Sequence, residues 1–178
     1  MKKIILVYGI ISGLIVTAMM AFSTGYYCAK GDFEGGMIYG YASMLLASSM
    51  IFVGIKSFRD KHNGGVIRFG KAFQVGLFIS LIASTIYVIG WLINYYFFVP
   101  DFMDKYAAAM ITKAKESGMS ANKLAQEVAY MNKMKEWYKN PLVIILMTYV
   151  EILPVVLPIT LISALILKRK TPKQIQTA

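Results

Sequence analysis

The amino-acid sequence predicts an all-α, polytopic membrane protein with four transmembrane helices and an extracytoplasmic helical hairpin between the third and the fourth. Hydrophobic residues make up 57% of the 178 residues and charged residues only 16%, which is typical of an integral membrane protein rather than a soluble domain. Four apolar runs are each about 20 residues or longer, the length that a helix needs to cross a hydrocarbon layer of about 30 Å. The long segment between the third and fourth runs instead alternates charged residues with apolar residues at helical spacing.

We place the four spans at residues 4–25, 37–57, 70–99 and 141–168, within a single integral membrane domain that covers residues 1–178. The first run is interpreted as a retained helix, because its apolar stretch of about 20 residues exceeds the roughly 7–15 residues of a signal-peptide core. The third run ends in aromatic residues of the kind that lie at the level of the lipid headgroups, namely Trp91, Tyr95, Tyr96, Phe97 and Phe98.

Residues 101–139 are predicted to form the helical hairpin outside the membrane. Pro100, directly before the first acidic residue of this segment, favours the start of a helix. Two stripes of apolar residues at helical spacing follow, and Gly118 separates them. The turn of the hairpin is therefore expected at residues 117–120.

The fourth run carries a carboxylate, Glu151, near its middle. An ionisable group at that depth is energetically costly, so we expect it to face protein or trapped water, or to stay protonated. Pro154 and Pro158 follow one and two turns later, and each proline removes a backbone donor and frees a carbonyl four residues earlier. Thr85 and Tyr87 lie at a similar depth if the third and fourth helices are antiparallel neighbours. We therefore predict that these five residues form an intramembrane polar site.

Small side chains recur every four residues in the first and third runs, a pattern that permits close packing of helices. They are Gly9 and Gly13 in the first run, and Gly76, Ser80 and Ser84 in the third. The third helix is accordingly expected to lie close to the first. The favoured interpretation of the glycine pair is packing against another helix of the same chain, and the second interpretation is a homodimer seam.

Residues that commonly bind metals are scarce in this sequence. It contains one cysteine, Cys28, and one histidine, His62, which are too few for the usual metal sites of a single chain. We expect no metal and no cofactor.

Basic residues are distributed unequally between the two sides of the predicted membrane domain. Eleven lysines and arginines, among them Lys170 and Lys173, lie on the side of the two termini, and eight lie on the side of the hairpin. The positive-inside rule therefore places both termini in the cytoplasm. The positive charge of this side then faces the anionic lipids of the inner leaflet, which accounts for the net charge of +10. We therefore expect no nucleic-acid partner.

Several short segments of the chain resemble the domain-of-unknown-function family 4199. They are residues 68–73 with Gly76, residues 138–142, residues 151–155, and residues 162–164 before the basic residues 168–170. The resemblance extends over nearly the whole chain. It implies a four-helix protein of the inner membrane of Gram-negative bacteria, with an extended segment between the last two helices. It implies no activity and no catalytic residue.

Two functions are compatible with these features. The favoured one is a non-enzymatic scaffold or accessory subunit, in which the hairpin meets a membrane-protein partner and Glu151 makes a polar contact inside the helix bundle. The alternative is a small transporter or proton-coupled carrier in which Glu151 titrates. The two hypotheses differ in whether Glu151 faces a water-accessible cavity.

Overall fold

The computed structural model of the protein describes residues 1–169, and these residues form six α-helices. Helices α1 to α6 span Lys2–Lys30, Phe33–His62, Phe69–Ile93, Phe102–Glu116, Ala121–Trp137 and Pro141–Leu167. A single π-helical turn, Asn94–Phe98, continues α3. Lys170 and Lys173, two of the eleven basic residues assigned to the side of the termini, lie outside the described residues.

The predicted all-α fold with four long apolar helices is confirmed. By length and composition, α1, α2, α3 with its π-helical turn, and α6 are each able to cross a membrane. The largest difference from the prediction concerns α2, which begins at Phe33 and ends at His62 rather than covering residues 37–57. Its last turn contains Arg59 and Lys61, and cations are favourable near the negative end of the helix dipole. The helix therefore continues beyond its apolar part.

Helices α4 and α5 occupy the segment for which a hairpin is predicted, and they pack on each other. Gly118 lies between them with a φ angle of 70°, a left-handed conformation that glycine adopts without steric cost. The carboxylate of Asp104 and the ammonium of Lys135 form an ion pair of 2.5 Å between the two helices. The turn therefore lies where the sequence places it.

The described chain divides into two compact units. The first unit consists of Met1–Ile15, Met44–Ile86 and residues 152–169. The second, here named the hairpin unit, consists of Val16–Ser43 and Tyr87–Glu151 and thus contains α4 and α5.

The first unit buries hydroxyl groups and exposes large apolar side chains. Its buried polar residues are Ser12, Ser48, Ser80, Ser84, Thr160 and Ser163. Its exposed apolar residues include Leu6, Leu14, Leu45, Leu46, Ile162 and Ile166. A soluble protein shows the opposite distribution, whereas helices in lipid turn apolar side chains outward and pack through small and hydroxylated residues. The packing of this unit is therefore that of a membrane protein.

Two glycines of α1 lie directly against α3 in the first unit. A Cβ atom added at Gly9 would lie 2.8 Å from Cβ of Ile82, and one added at Gly13 would lie 2.8 Å from Cβ of Ile86. No larger side chain fits at either position without displacing its neighbour. The structure thus places this glycine pair at a contact within the chain.

The small residues of α3 face other helices. A Cβ atom added at Gly76 would lie 2.8 Å from Ile55 of α2 and 2.9 Å from Thr160 of α6. Ser80 Oγ lies 2.7 Å from Thr160 Oγ1 of α6, and Ser84 is fully buried. Helix α3 does lie close to α1, as the sequence predicts, but the contact is made by Ile82 and Ile86 rather than by the small residues of α3. Gly76 and Ser80 consequently meet α2 and α6.

An isolated antiparallel bridge joins two loop residues at one end of the first unit. The backbone N–H of Ile67 donates to the carbonyl of Arg169 at 2.9 Å, and the N–H of Arg169 donates to the carbonyl of Ile67 at 2.8 Å. A crevice beside this bridge is lined by Arg68, Lys168 and Arg169. The bridge therefore concentrates positive charge at this end of the unit.

Candidate functional site

Glu151 lies in the part of α6 that belongs to the hairpin unit, beside the buried face of that helix. Ile144 and Thr148 of the same helix are 0% and 3% exposed, whereas Leu146 and Val150 are 64% and 68% exposed. At about 100° per residue, Glu151 lies about 20° around the helix from Ile144 and about 60° from Thr148. Glu151 itself is exposed, so it lies at the edge of the buried face of α6 rather than within it.

The hairpin unit contains a cavity of about 360 Å³, and Glu151 lines it. All six helices contribute to its wall, with Met20 from α1, Tyr41 from α2, Trp91 from α3, Met103 from α4 and Met134 from α5. A volume of this size lies within the range of small-molecule sites, which are commonly about 300–1,000 Å³. The residues of α6 and of the hairpin are thus brought together around a space that can hold one small molecule.

The wall of the cavity is aromatic and acidic. Eight aromatic side chains line it, among them Tyr87, Trp91 and Tyr138, together with five methionines. The charged residues in the lining are Glu34 and Glu151, without a lysine or an arginine. The carboxylate of Glu34 forms an ion pair with Lys113 of α4. Of the two carboxyl groups in the lining, Glu151 is therefore the one without an ion-pair partner among the described residues.

Contacts between aromatic rings hold one side of the cavity in place. Trp91 of α3 meets Phe102 of α4 edge to face, with 5.0 Å between ring centroids. Phe33 of α2 meets Tyr106 of α4 in the same geometry at 5.4 Å. Edge-to-face pairs at such distances are favourable because the positive edge of one ring meets the negative face of the other. These contacts tie α4 to the ends of α2 and α3 and fix the positions of the aromatic side chains.

Glu151 lies close enough to two phenols to interact with them electrostatically, those of Tyr87 and Tyr138. Burial raises the pKa of Tyr138 to about 12, and the negative charge of Glu151 acts in the same direction. Tyr138 is therefore neutral throughout the physiological range. Within residues 1–169, the Glu151 carboxylate makes no hydrogen bond or ion pair. Its oxygens are thus available to a proton, water or a ligand.

A family model, described as Protein of unknown function (DUF4199), matches residues 7–169 of the chain. The chain belongs to this family. No curated protein and no solved structure shows a significant match to it. The geometry of the cavity is consequently the basis for a functional assignment of this DUF4199 protein.

Two of the five residues of the predicted polar site belong to the hairpin unit. Glu151 and Tyr87 line the same cavity. Thr85, Pro154 and Pro158 belong to the first unit, where Thr85 Oγ1 donates to the carbonyl of Leu81 at 2.8 Å. Helix α6 continues through both prolines.

Most residues of the cavity wall were not recognised from the sequence, among them Trp91 and Glu34. The sequence predicts Trp91 to lie at the level of the lipid headgroups and does not include Glu34 in the polar site, yet both line the cavity with Glu151. One signal for Trp91 was present, because Tyr87 and Trp91 are one helical turn apart and so share a face of α3. No comparable signal marked Glu34, since its position depends on how the start of α2 packs beneath α4.

Proposed function

We propose that this DUF4199 protein is a small, non-enzymatic membrane carrier in which Glu151 takes up and releases protons inside the cavity of the hairpin unit. The proposal rests on one observation: the Glu151 carboxylate lines a cavity of about 360 Å³ without a polar partner from the described chain. Intramembrane carboxylates that face a cavity mark ion pathways and proton relays. Such a group changes charge without leaving its site, which is what coupling to protons requires.

The position of Glu151 favours the carrier over the scaffold. In a scaffold, the carboxylate of Glu151 is expected to form a hydrogen bond with a residue of another helix, as Ser80 does with Thr160 in the first unit. The carboxylate of Glu151 faces open space instead. An enzyme is less well supported, because the titratable lining consists of carboxyl groups, phenols and the thiol of Cys28, without a histidine or lysine as a base.

The proposed location is the bacterial inner membrane, with both termini in the cytoplasm and the α4–α5 hairpin outside. The positive-inside rule supports this orientation, since the basic crevice beside the Ile67–Arg169 bridge lies in the unit that contains the N-terminus. Anionic lipid is the proposed partner of that end.

A scaffold or accessory subunit remains the second candidate, and the surface of α5 is the observation that favours it. Tyr130 and Trp137 of α5 are 51% and 42% exposed. Exposed aromatic side chains are frequent at protein interfaces. In this case the hairpin would dock on another membrane protein, or on a second copy of the chain.

Modification by a carbodiimide tests the carrier. N,N′-dicyclohexylcarbodiimide enters membranes and reacts with protonated carboxyl groups, so a titrating Glu151 should be labelled less as the pH rises. The measurement is peptide mass spectrometry on full-length protein in lipid vesicles between about pH 5 and pH 9. Glu151→Gln should remove the labelled peptide. The matched control, Glu136→Gln, changes an exposed carboxylate that does not line the cavity and should leave the labelling of Glu151 unaltered.

Labelling of Glu151 that is absent at every pH would contradict the carrier and favour the scaffold. In that case Glu151→Gln should also leave co-purification of membrane-protein partners unchanged, while truncation of the exposed aromatic residues of α5 should reduce it.

A further inference from the structure

We propose that the cavity of the hairpin unit binds an amphiphilic organic cation, such as an ammonium or phosphonium ion with apolar substituents, and that Glu151 is its counter-charge. The inference rests on the proposed function in that it names the class of molecule that would exchange with the proton on Glu151. The residues of the cavity wall support this inference independently, because they favour a positively charged ligand that can contact aromatic rings.

The charge of the ligand follows from the titratable groups that line the cavity. Besides the two carboxylates they are the phenols and thiol of Tyr27, Cys28, Tyr41, Tyr87, Tyr106 and Tyr138. A phenol ordinarily titrates at about pH 10, and burial raises the pKa of Tyr106 and of Tyr138 above that value. Glu34 is paired with Lys113. An ionised Glu151 therefore repels an anion, and a neutral ligand would leave its charge uncompensated.

The aromatic wall distinguishes an organic cation from an inorganic one. The faces of Trp91 and of the tyrosines attract a cation through the ring quadrupole, and tryptophan is the strongest of the aromatic partners. Methionine side chains such as Met103 and Met134 adapt to apolar substituents of varied shape. A strongly hydrated ion such as Na⁺ has no apolar substituents to place against the ring faces and thioethers, whereas an organic cation does.

Tryptophan fluorescence provides a direct measurement. The chain has two tryptophans, and Trp137→Phe leaves Trp91, in the cavity wall, as the sole reporter. Full-length protein in detergent is titrated with tetraphenylphosphonium and, separately, with tetraphenylborate, which has nearly the same shape and the opposite charge. We expect saturable quenching by the cation, with a Kd at least tenfold lower than that for the anion.

Variants and pH identify the counter-charge. Glu151→Gln should raise the Kd for tetraphenylphosphonium about tenfold or more, whereas the control Glu136→Gln should leave it unchanged. Lowering the pH through the titration of Glu151 should weaken binding, because a protonated carboxyl group no longer attracts the cation. The pH series and the borate comparison use only the Trp137→Phe protein, so they decide the question even if Glu151→Gln fails to fold.

The outcomes separate the two proposals. Equal affinity for the two ions, or an unchanged Kd in a folded Glu151→Gln protein, would overturn the cation site. Carbodiimide labelling of Glu151 together with absence of cation binding would overturn the cation site and leave the titrating carboxylate in place. Selective binding of tetraphenylphosphonium without any proton exchange in vesicles would support the cation site and overturn the carrier.

Discussion

The hydroxyl groups of Ser80 in α3 and Thr160 in α6 lie 2.7 Å apart in a buried hydrogen bond within the first unit. Each hydroxyl is also within bonding distance of a carbonyl of its own helix, at 2.9 Å for Ser80 with Gly76 and 2.8 Å for Thr160 with Val156. The two hydroxyl groups have two protons between them, but they make three contacts: one with each other and one each with a backbone carbonyl. One hydroxyl therefore always donates across the helix interface while the other donates to its own backbone.

The first prediction is that Ser80 and Thr160 are energetically coupled. A double-mutant cycle of Ser80→Ala and Thr160→Val should give a coupling free energy of about 0.6 kcal/mol, the mean for interhelical hydrogen bonds in membrane proteins. The measurement is unfolding of the purified protein by dodecyl sulfate in mixed micelles. Ser48→Ala is the control, because Ser48 bonds only to the carbonyl of Met44 in its own helix. A coupling free energy indistinguishable from zero would show that this hydrogen bond does not contribute to the association of α3 and α6.

The second prediction concerns the glycines of α1. Gly9→Ala should destabilise the fold by about 1–3 kcal/mol, because the new methyl group would meet Ile82 at 2.8 Å in a closely packed interface. Gly25→Ala, in the same helix, should be neutral or stabilising by up to about 1 kcal/mol, since no atom lies within 4 Å of its added Cβ and alanine favours helix. The same unfolding assay compares the two. Equal losses of stability would place the contact between Gly9 and α3 in doubt.

The third prediction tests the turn of the hairpin. Gly118→Ala should destabilise the α4–α5 hairpin by roughly 1–2 kcal/mol, because a side chain at a φ angle of 70° clashes with its own backbone. Gly118→Asn is the matched control and should cost less, since asparagine tolerates the left-handed region. Hydrogen exchange of the amides of α4 and α5 reports local opening. Faster exchange in the alanine variant than in the asparagine variant is the expected result.

The fourth prediction tests the proposed orientation. In a Cys28→Ser background, a cysteine replacing Ser117 in the hairpin turn should react with a membrane-impermeant maleimide in intact cells. A cysteine replacing Asn63, in the loop after α2, should react only after the membrane is opened. The lysine and arginine distribution is the basis for this expectation. Reaction of a cysteine at position 63 in intact cells would show that the orientation is the opposite of the proposed one.

The sequence by itself determined the four apolar helices, the place of the hairpin turn and the choice of Glu151 as the unusual residue. Each of these features depends on residues that are close together in the sequence. The length of an apolar run, the spacing of polar residues and the conformational freedom of Gly118 can all be recognised without knowing which helices are in contact. The family resemblance is confirmed over residues 7–169 for the same reason, since it rests on short local segments.

Only the tertiary structure decided which face of each helix meets which neighbour. Helices α3 and α6 are apolar nearly all around, so hydrophobic periodicity fixes no rotation about their axes. Their rotation depends on fits such as Gly9 against Ile82 and Ser80 against Thr160, which join residues far apart in the chain. The same non-local packing brought Tyr87, Trp91 and Glu151 to the wall of one cavity. Lipid supplies no driving force that distinguishes one apolar face of a helix from another, so the sequence alone could not place them there.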